Sequence, residues 1–389
     1  MTKVTGYDIS NYGEMVDCEP RMSVFAKALK RAITPGCTVI DLGASFGPFA
    51  LLACKYGAGK VIAIEPDPSV ELIMPMAQAN GCADRITVVK DLSTNYRPDA
   101  KADVIISDVR GTMPLFETHI PTIVDARERL LKKGGHQLPM RDTIRIALAR
   151  SPKAYRPCYY PWVSNQYGID LSLGRTYAVN SNQRVDLGVR HLVSEPLDLA
   201  VIDYREVTDP DLDRTVELTA DRDTVAHGLL MWFDAEIADG LTYSNAPGQP
   251  PLVYSQMLLP MAEPLKLHTG DTVKARIRAK LMGRSYIWSW DCDVIDAESG
   301  SVMKSFRQST FKGDVISKSA LDQISNITVP QRSTQIEIDR DCLSFVGEGR
   351  SVDEIAALLL ERHPDHFKTH MDALNHATGL LGRYVDGHS

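Results

Sequence analysis

Apolar positions between about residues 20 and 150 fall into short continuous runs separated by stretches with helical spacing. The runs are TVIDLG (38–43), KVIAIEP (60–66), RITVVKD (85–91) and DVIISD (103–108). Runs of this kind, flanked by turn residues, are expected of parallel strands buried on both faces, with helices crossing between them. ELIMPMAQAN supplies one crossover. HIPTIVDARERLLKKGG supplies another, and its closing Lys-Lys-Gly-Gly is expected to stop that helix before a fifth strand near 143–149.

Beyond Pro152 the pattern becomes short alternation, as in TVELTA, TVKARIRAKL and SYIWSWDCDVI, which predicts antiparallel strands. Trp288 and Trp290 share one strand face and are expected to be core. From about 340 the texture turns helical. SVDEIAALLLERH opens with Ser351 and Glu354 at capping-box spacing, and a second helix follows through ALNHATGLLGRY. The expected fold is α/β, with a Rossmann-like domain over 1–150, an antiparallel β-barrel domain over 151–335 and a helical element over 336–389.

Composition narrows the class of protein. The 389 residues exceed one ordinary core, so two to three domains are expected. Lys and Arg total 43 against 50 Asp and Glu, a formal charge of -7 that offers no general attraction to nucleic acid. The seven cysteines are scattered and form no C-x-x-C pair, which argues against a disulfide framework or a structural zinc. Neither a signal peptide nor a membrane-length apolar run stands out, so a cytoplasmic protein is expected.

The segment V-I-D-L-G-A-S-F-G-P-F (39–49) places Asp41 at the end of the first strand, with Gly43 and Gly47 in the turn into a helix. Glycine there admits positive φ and close approach of a ligand. Glu65 ends the second strand, where a carboxylate can accept the ribose hydroxyls of an adenosine, and Asp91 and Leu92 end the third. The G-x-x-x-G spacing, with Ser45 between the glycines and Pro48 after them, favours S-adenosylmethionine over a dinucleotide, whose pyrophosphate needs more glycine at the helix start.

At this point the chain resembles the protein arginine methyltransferases over roughly residues 7–330. Tyr7, Tyr12, Gly13, Met15 and Arg21 are similar to that family's cofactor-covering helix, whose arginine pairs with the donor's carboxylate. A-I-E-P (63–66) is similar to its ribose-binding motif, S-D-V-R-G-T-M-P-L-F-E (107–117) to its double-glutamate loop, and N-Q-Y-G-I-D-L-S (165–172) to a segment opening the barrel domain. The resemblance implies a metal-free, S-adenosylmethionine-dependent methyl transfer and a homodimer formed through an arm on the barrel. It also implies that Arg21, Asp41, Gly43, Gly47, Glu65, Asp91 and Leu92 hold the donor.

In-line transfer to a guanidinium needs a planar cation held in front of the methyl group, and two carboxylates can grip it. Asp108 and Glu117 are the expected catalytic pair, with Tyr12 and Tyr254 beside the acceptor. Three departures from the family bear on the substrate: Asp108 stands where the family has glutamate, Arg110 enters the loop, and Leu252-Val253-Tyr254 replaces a Thr-His-Trp loop. Arg110 is expected either to neutralise one of the two acids or to bind an acidic group of the acceptor, and in both cases to change substrate choice. The resemblance implies that the acceptor is an arginine-containing peptide, a protein or the free amino acid. A peptide-derived or small natural product methylated on N or O is the alternative, and a non-catalytic peptide-binding scaffold lies further off. The segment 342–384 resembles the helical half of PqqD-type peptide-binding modules, and His363, His366 and His370 have the spacing of one helix face but are expected to be solvated rather than to bind metal.

Overall fold

The computed structural model describes residues 8–315 and 333–384; Tyr7 lies outside them. The chain divides into two compact units, Met1–Val315 and Ile316–Ser389.

The first unit opens with two helices, α1 (Ile9–Asp17) and α2 (Glu19–Ala32). A parallel sheet follows, made of β1 (Thr38–Leu42), β2 (Lys60–Ile64), β3 (Ile86–Val89), β4 (Ala102–Ser107) and β5 (Leu131–Leu138), in the spatial order β3-β2-β1-β4-β5. Helices α3 (Pro48–Lys55), α4 (Ile73–Ala79) and α5 (His119–Arg129) lie between the strands in sequence. Alternation of period two sends Val39, Val61, Val104 and Ile106 into one core and Ile40, Leu42, Ile62 and Ile105 into another, so the sheet is buried on both faces. At about 1.5–3 kcal/mol for each buried branched side chain, these two faces dominate the stability of the sheet.

Register decides where chemistry can occur. Leu42 is paired with Ile64 on one side and with Ser107 on the other. The next residues, Gly43, Glu65 and Asp108, therefore emerge side by side at the carboxyl edge. The strand order reverses between β1 and β4, and that reversal opens the ligand crevice of a doubly wound sheet.

The fifth parallel strand is not where the sequence pattern placed it. Helix α5 ends at Arg129, and the Lys-Lys-Gly-Gly run lies inside β5. As the outer strand of the sheet, β5 can leave Lys132 and Lys133 in solvent, and its register shift against β4 lies beside Gly134 at φ +80°. The segment near 143–149 is β6 (Arg141–Ala149), which runs antiparallel to its neighbours in the next sheet.

Helices α6 (Pro152–Val163) and α7 (Ser172–Ala178) follow, where alternation had predicted strands. Ser151 accepts from the Ala154 amide and Pro152 occupies the first turn, so the start of α6 is locally specified. The antiparallel strands are β7 (Gln183–Val185), β8 (Leu197–Asp203), β9 (Leu212–Thr219), β10 (Thr224–Ala238), β11 (Leu241–Ser244), β12 (Gln256–Leu267), β13 (Thr272–Met282), β14 (Ser285–Ile295) and β15 (Val302–Ser309). They form the sheets β7-β12-β10-β6-β8, with β11 on β10, and β15-β14-β13-β9. Trp288 and Trp290 are buried in the core these sheets share, and the Trp290 indole donates to the Pro260 carbonyl at 2.9 Å.

The second unit contains α8 (Thr334–Ser344), α9 (Val352–Arg362) and α10 (His370–Tyr384) around a core that includes Ile338, Cys342, Ile355, Leu359 and Ala377. Ser351 and Glu354 form the reciprocal capping box. The histidines face separate carboxylates, His363 at Asp341 and His370 at Asp353, and no cluster of three or more metal-ligating side chains occurs among the described residues. No described helix is long and apolar enough to cross a membrane.

Candidate active site

The turn after β1 has the conformation its glycines allow. Gly43 and Gly47 have φ of +69° and +94°, and Ser45 between them is at +53°. Packing also demands glycine: a Cβ on Gly43 would lie 2.3 Å from Val109 Cγ1, and one on Gly47 would lie 3.0 Å from Ile73. Gly43→Ala is expected to lower stability by at least 1 kcal/mol, and Gly43→Ala/Val109→Ala to recover the steric part but not the strain, as read by urea denaturation.

Glu65 is fixed by two amides, with Oε2 accepting from Ser45 N at 2.9 Å and Oε1 from Asp67 N at 2.8 Å. Each oxygen keeps a second lone pair, so the carboxylate can still take the two hydroxyls of a ribose, and the residues at this edge fit S-adenosylmethionine. Helix α1 lies over the turn: the Tyr12 ring is 5.3 Å from Phe46, and its hydroxyl is 3.2 Å from Ser69 Oγ. A cleft of about 500 Å³ opens between α1 and Phe46. Tyr12, expected beside the acceptor, thus packs on the donor turn. Asp91 and Leu92 lie exposed beyond β3, and Asp91 accepts from the Leu92 amide and from Asn95.

Asp41 sits beneath the turn, 1% exposed, and neither oxygen has a hydrogen bond of ordinary geometry. Burial pushes its carboxyl up to about 7, against the Ala50 backbone N–H that favours the ionised form. A carboxyl raised in this way is protonated in the fold and ionised in the unfolded chain between about pH 4 and 7. Its contribution to stability therefore falls as pH rises through that window, by on the order of 3–4 kcal/mol. Asp41→Asn is expected to flatten this decline in a series of denaturant unfolding curves.

The loop 108–117 separates its two acids. Asp108 Oδ2 accepts from Arg21 Nε at 2.6 Å and from the Tyr254 hydroxyl at 2.5 Å, while Oδ1 accepts from Arg110 Nε at 3.1 Å and Nη2 at 3.0 Å. Burial alone would push the Asp108 carboxyl up; Arg21, Arg110 and Tyr254 outweigh it and hold it below the ordinary value. Glu117 is different. It is exposed, has φ +42°, and makes no hydrogen bond or ion pair among the described residues. The turn that presents it closes on Gly111, where a Cβ would lie 2.4 Å from the Phe116 ring.

The two-carboxylate grip expected of Asp108 and Glu117 is thus not assembled. Asp108 already binds two of the protein's own guanidinium groups.

Of the two roles expected of Arg110, the neutralisation of an acid is the one the geometry fits. Arg110 is fully enclosed, and besides Asp108 it donates to Asp142 Oδ1 at 2.7 Å and to the Tyr243 hydroxyl. Its guanidinium lies 5.4–5.8 Å from the ring centroids of Phe25, Phe233, Tyr243 and Tyr254. With every edge and face occupied, it cannot receive an acidic group of a substrate. Tyr204 donates its hydroxyl to the other oxygen of Asp142. Burial raises the Asp142 carboxyl, and Arg110 and Tyr204 only partly restore it. Two arginines and two aspartates therefore form a charge-balanced cluster where the parallel sheet meets the barrel, the condition under which buried ions are tolerated. His119 lies beside it, its ring 5.2 Å from Tyr204 and both nitrogens unpaired; burial and then Arg110 push it down to about 3, so it is neutral.

Asp142, Tyr204, Tyr243 and His119 were not anticipated. One of them left a signal: Asp142 shares its strand face with Ile144, Ile146 and Leu148, so a lone carboxylate interrupts a buried apolar row.

The glycine turn after β1, the carboxylate at the end of β2, the helix over the turn and the reversed strand order are together those of a class I S-adenosylmethionine-dependent methyltransferase. Family models agree on both halves of the first unit: residues 21–136 match the ribosomal protein L11 methyltransferase model, and residues 149–294 match the arginine methyltransferase oligomerization subdomain. An arginine N(omega)-methyltransferase of Streptomyces achromogenes subsp. streptozoticus is 30% identical over 68% of this chain and 74% of its own length. Protein arginine N-methyltransferase 1 of Saccharomyces cerevisiae is 25% identical over 61% of this chain and 71% of its own. Among solved structures, the Trypanosoma brucei PRMT1 enzyme-prozyme heterotetrameric complex with AdoHcy has a TM-score of 0.70 at 21% identity, covering 78% of this chain and 98% of that one. The Arabidopsis thaliana protein arginine methyltransferase 10 has a TM-score of 0.68 at 20% identity, over 77% and 97%. The chain belongs to the arginine methyltransferase family. It uses S-adenosylmethionine, and the matched subdomain is one of oligomerization.

Proposed function

We propose that this chain transfers a methyl group to a terminal guanidino nitrogen of arginine, free or within a peptide or protein. The observation that carries the reading is Glu117, a carboxylate without a partner on the loop that leaves β4 at the donor's edge of the sheet. The bound donor supplies an electrophilic methyl carried on a sulfonium.

In this reading Glu117 grips the acceptor guanidinium and holds one nitrogen towards the methyl, and its negative charge offsets the positive charge that both reactants bring into the site. Asp108 acts through Arg21. It fixes a guanidinium that would otherwise swing, and Arg21 then meets the donor's carboxylate, as the family resemblance implies. Tyr254, from the segment that stands where the family carries a Thr-His-Trp loop, also holds Arg21, accepting from its Nε at 3.0 Å. Glu65 holds the ribose. The relatives' names support arginine itself as the acceptor, one naming arginine and the other protein arginine.

Turnover with labelled donor tests the acceptor. Arginine or an arginine peptide is expected to take the label. Citrulline, with a neutral urea in place of the guanidinium, is expected to take at least about 100-fold less, since it loses the charge-assisted contact. Equal turnover on citrulline would remove the guanidinium grip from the reading.

The homodimer implied by the family resemblance has a surface to match. Tyr167, Ile169 and Leu173, on and beside α7, are 75%, 55% and 72% exposed. Leu173→Asp is expected to convert a dimer to a monomer in sedimentation equilibrium, and an unchanged mass would place the interface elsewhere.

A further inference from the structure

A second concave site lies at the opposite edge of the parallel sheet. Lys101 precedes β4 and Leu131 begins β5, so this cleft of about 380 Å³ opens at the amino ends of those strands. Asp108 follows the carboxyl end of β4, about 20 Å away along a six-residue strand.

The lining is strongly basic in a chain that is acidic overall. Lys101, Arg127, Lys132, Lys133 and Arg205 converge there. Two of the five are neutralised, Lys132 by Asp103 at 2.7 Å and Arg205 by Asp203 at 2.5 Å. The other three are less well compensated. Lys101 Nζ donates to the Glu128 carbonyl at 2.8 Å, and Arg127 Nη1 donates to the carbonyls of Tyr204 and Val207 at 2.9 Å each. The one acid near Arg127 is Glu128, at 3.8 Å and largely in solvent, and Lys133 makes no hydrogen bond or ion pair.

A second observation points to a ligand. Gln137 is in the wall and 4% exposed, and neither its amide nitrogen nor its amide oxygen has a hydrogen-bond partner. Leaving such a group unpaired costs about 1–3 kcal/mol. An unpaired amide in a wall shared with three under-compensated cations suits a ligand with several oxygen acceptors and more than one negative charge. Cations whose hydrogens already go to carbonyls still act on such a ligand as point charges.

We propose that this cleft binds the diphosphate group of a small molecule. A diphosphate brings about two to three negative charges close together, enough to answer Lys101, Arg127 and Lys133, where an ordinary carboxylate brings one. Inorganic pyrophosphate and a nucleoside diphosphate share this chemistry. The site is separate from methyl transfer and does not depend on the identity of the acceptor.

Calorimetric titration of the full chain tests the proposal. It is done at about 50 mM ionic strength with S-adenosylhomocysteine at saturation, so that adenosine cannot enter the donor site. Pyrophosphate and ADP are the two probes. Saturable one-to-one heat from either is expected, tighter than from inorganic phosphate. Pyrophosphate binding alone assigns the contact to the diphosphate, and tighter ADP binding adds a contact to the nucleoside. Lys101→Ala/Lys133→Ala, both exposed and outside the donor site, is expected to weaken binding at least tenfold while leaving S-adenosylhomocysteine affinity unchanged. The proposal is overturned if neither probe gives heat at 1 mM, or if the double variant binds as the parent does.

Discussion

Glu117→Gln is expected to lower kcat/KM for arginine by about 10²–10³ while S-adenosylhomocysteine binds within about twofold of the parent. The substitution keeps size and hydrogen-bonding oxygen and removes only the charge. A charged contact to a cationic acceptor, made as the acceptor packs against the loop and sheds water, accounts for about 3–4 kcal/mol of that loss. Because Glu117 is exposed and bonded to nothing, neither the fold nor the donor turn has reason to respond. Asp108→Asn should behave differently. It removes the charge that holds Arg21 and Arg110 together, so turnover falls along with thermal stability. Variants that lost activity and stability in equal measure would show the two acids to be one unit, contrary to the separation seen along the loop.

Arg110→Ala is expected to cost about 3–5 kcal/mol of folding free energy, because Asp142 and one side of Asp108 would be left as buried, unpaired charge. A thermal midpoint lower by on the order of 10 °C is the practical reading. Arg110→Met/Asp142→Asn should recover much of the loss. It removes one charge of each sign, keeps the Arg21–Asp108 pair intact and fills the aromatic cage with an apolar chain. A double variant no better than the single one would show that the geometry of the guanidinium, rather than charge balance, holds this seam. An Arg110→Ala protein as stable as the parent would show the cluster to be energetically idle.

Much of this architecture is legible in sequence because its causes are local. The strand runs, the glycine turn and Glu65 announce the donor edge through spacing alone, and Ser351 with Glu354 announces the start of α9. The fifth strand was misplaced because Lys-Lys-Gly-Gly reads equally well as a helix stop and as an outer strand that tolerates charge; only pairing with β4 decides it. Helix α6 was missed although it is capped and started locally, since its Pro157 and Pro161 are residues that ordinarily argue against a helix. The partners of Asp108 were hidden for a different reason. Arg21, Arg110, Asp142 and Tyr254 are separated by up to 233 residues, and no local pattern states which buried charge will meet which. Sequence placed an arginine beside two carboxylates and left open whether it neutralises one of them or meets the substrate; folding uses it to neutralise Asp108 and Asp142 at the seam between sheet and barrel.

The central claim is that the methyl group arrives on a guanidino nitrogen. Incubation with isotopically labelled S-adenosylmethionine and L-arginine or an arginine peptide, followed by fragmentation mass spectrometry of the product, tests it directly. The account predicts label on a terminal guanidino nitrogen, formed by the parent and nearly absent with Glu117→Gln. Label on an α-amino, carboxyl or hydroxyl group would contradict it, as would full labelling by the Glu117→Gln protein.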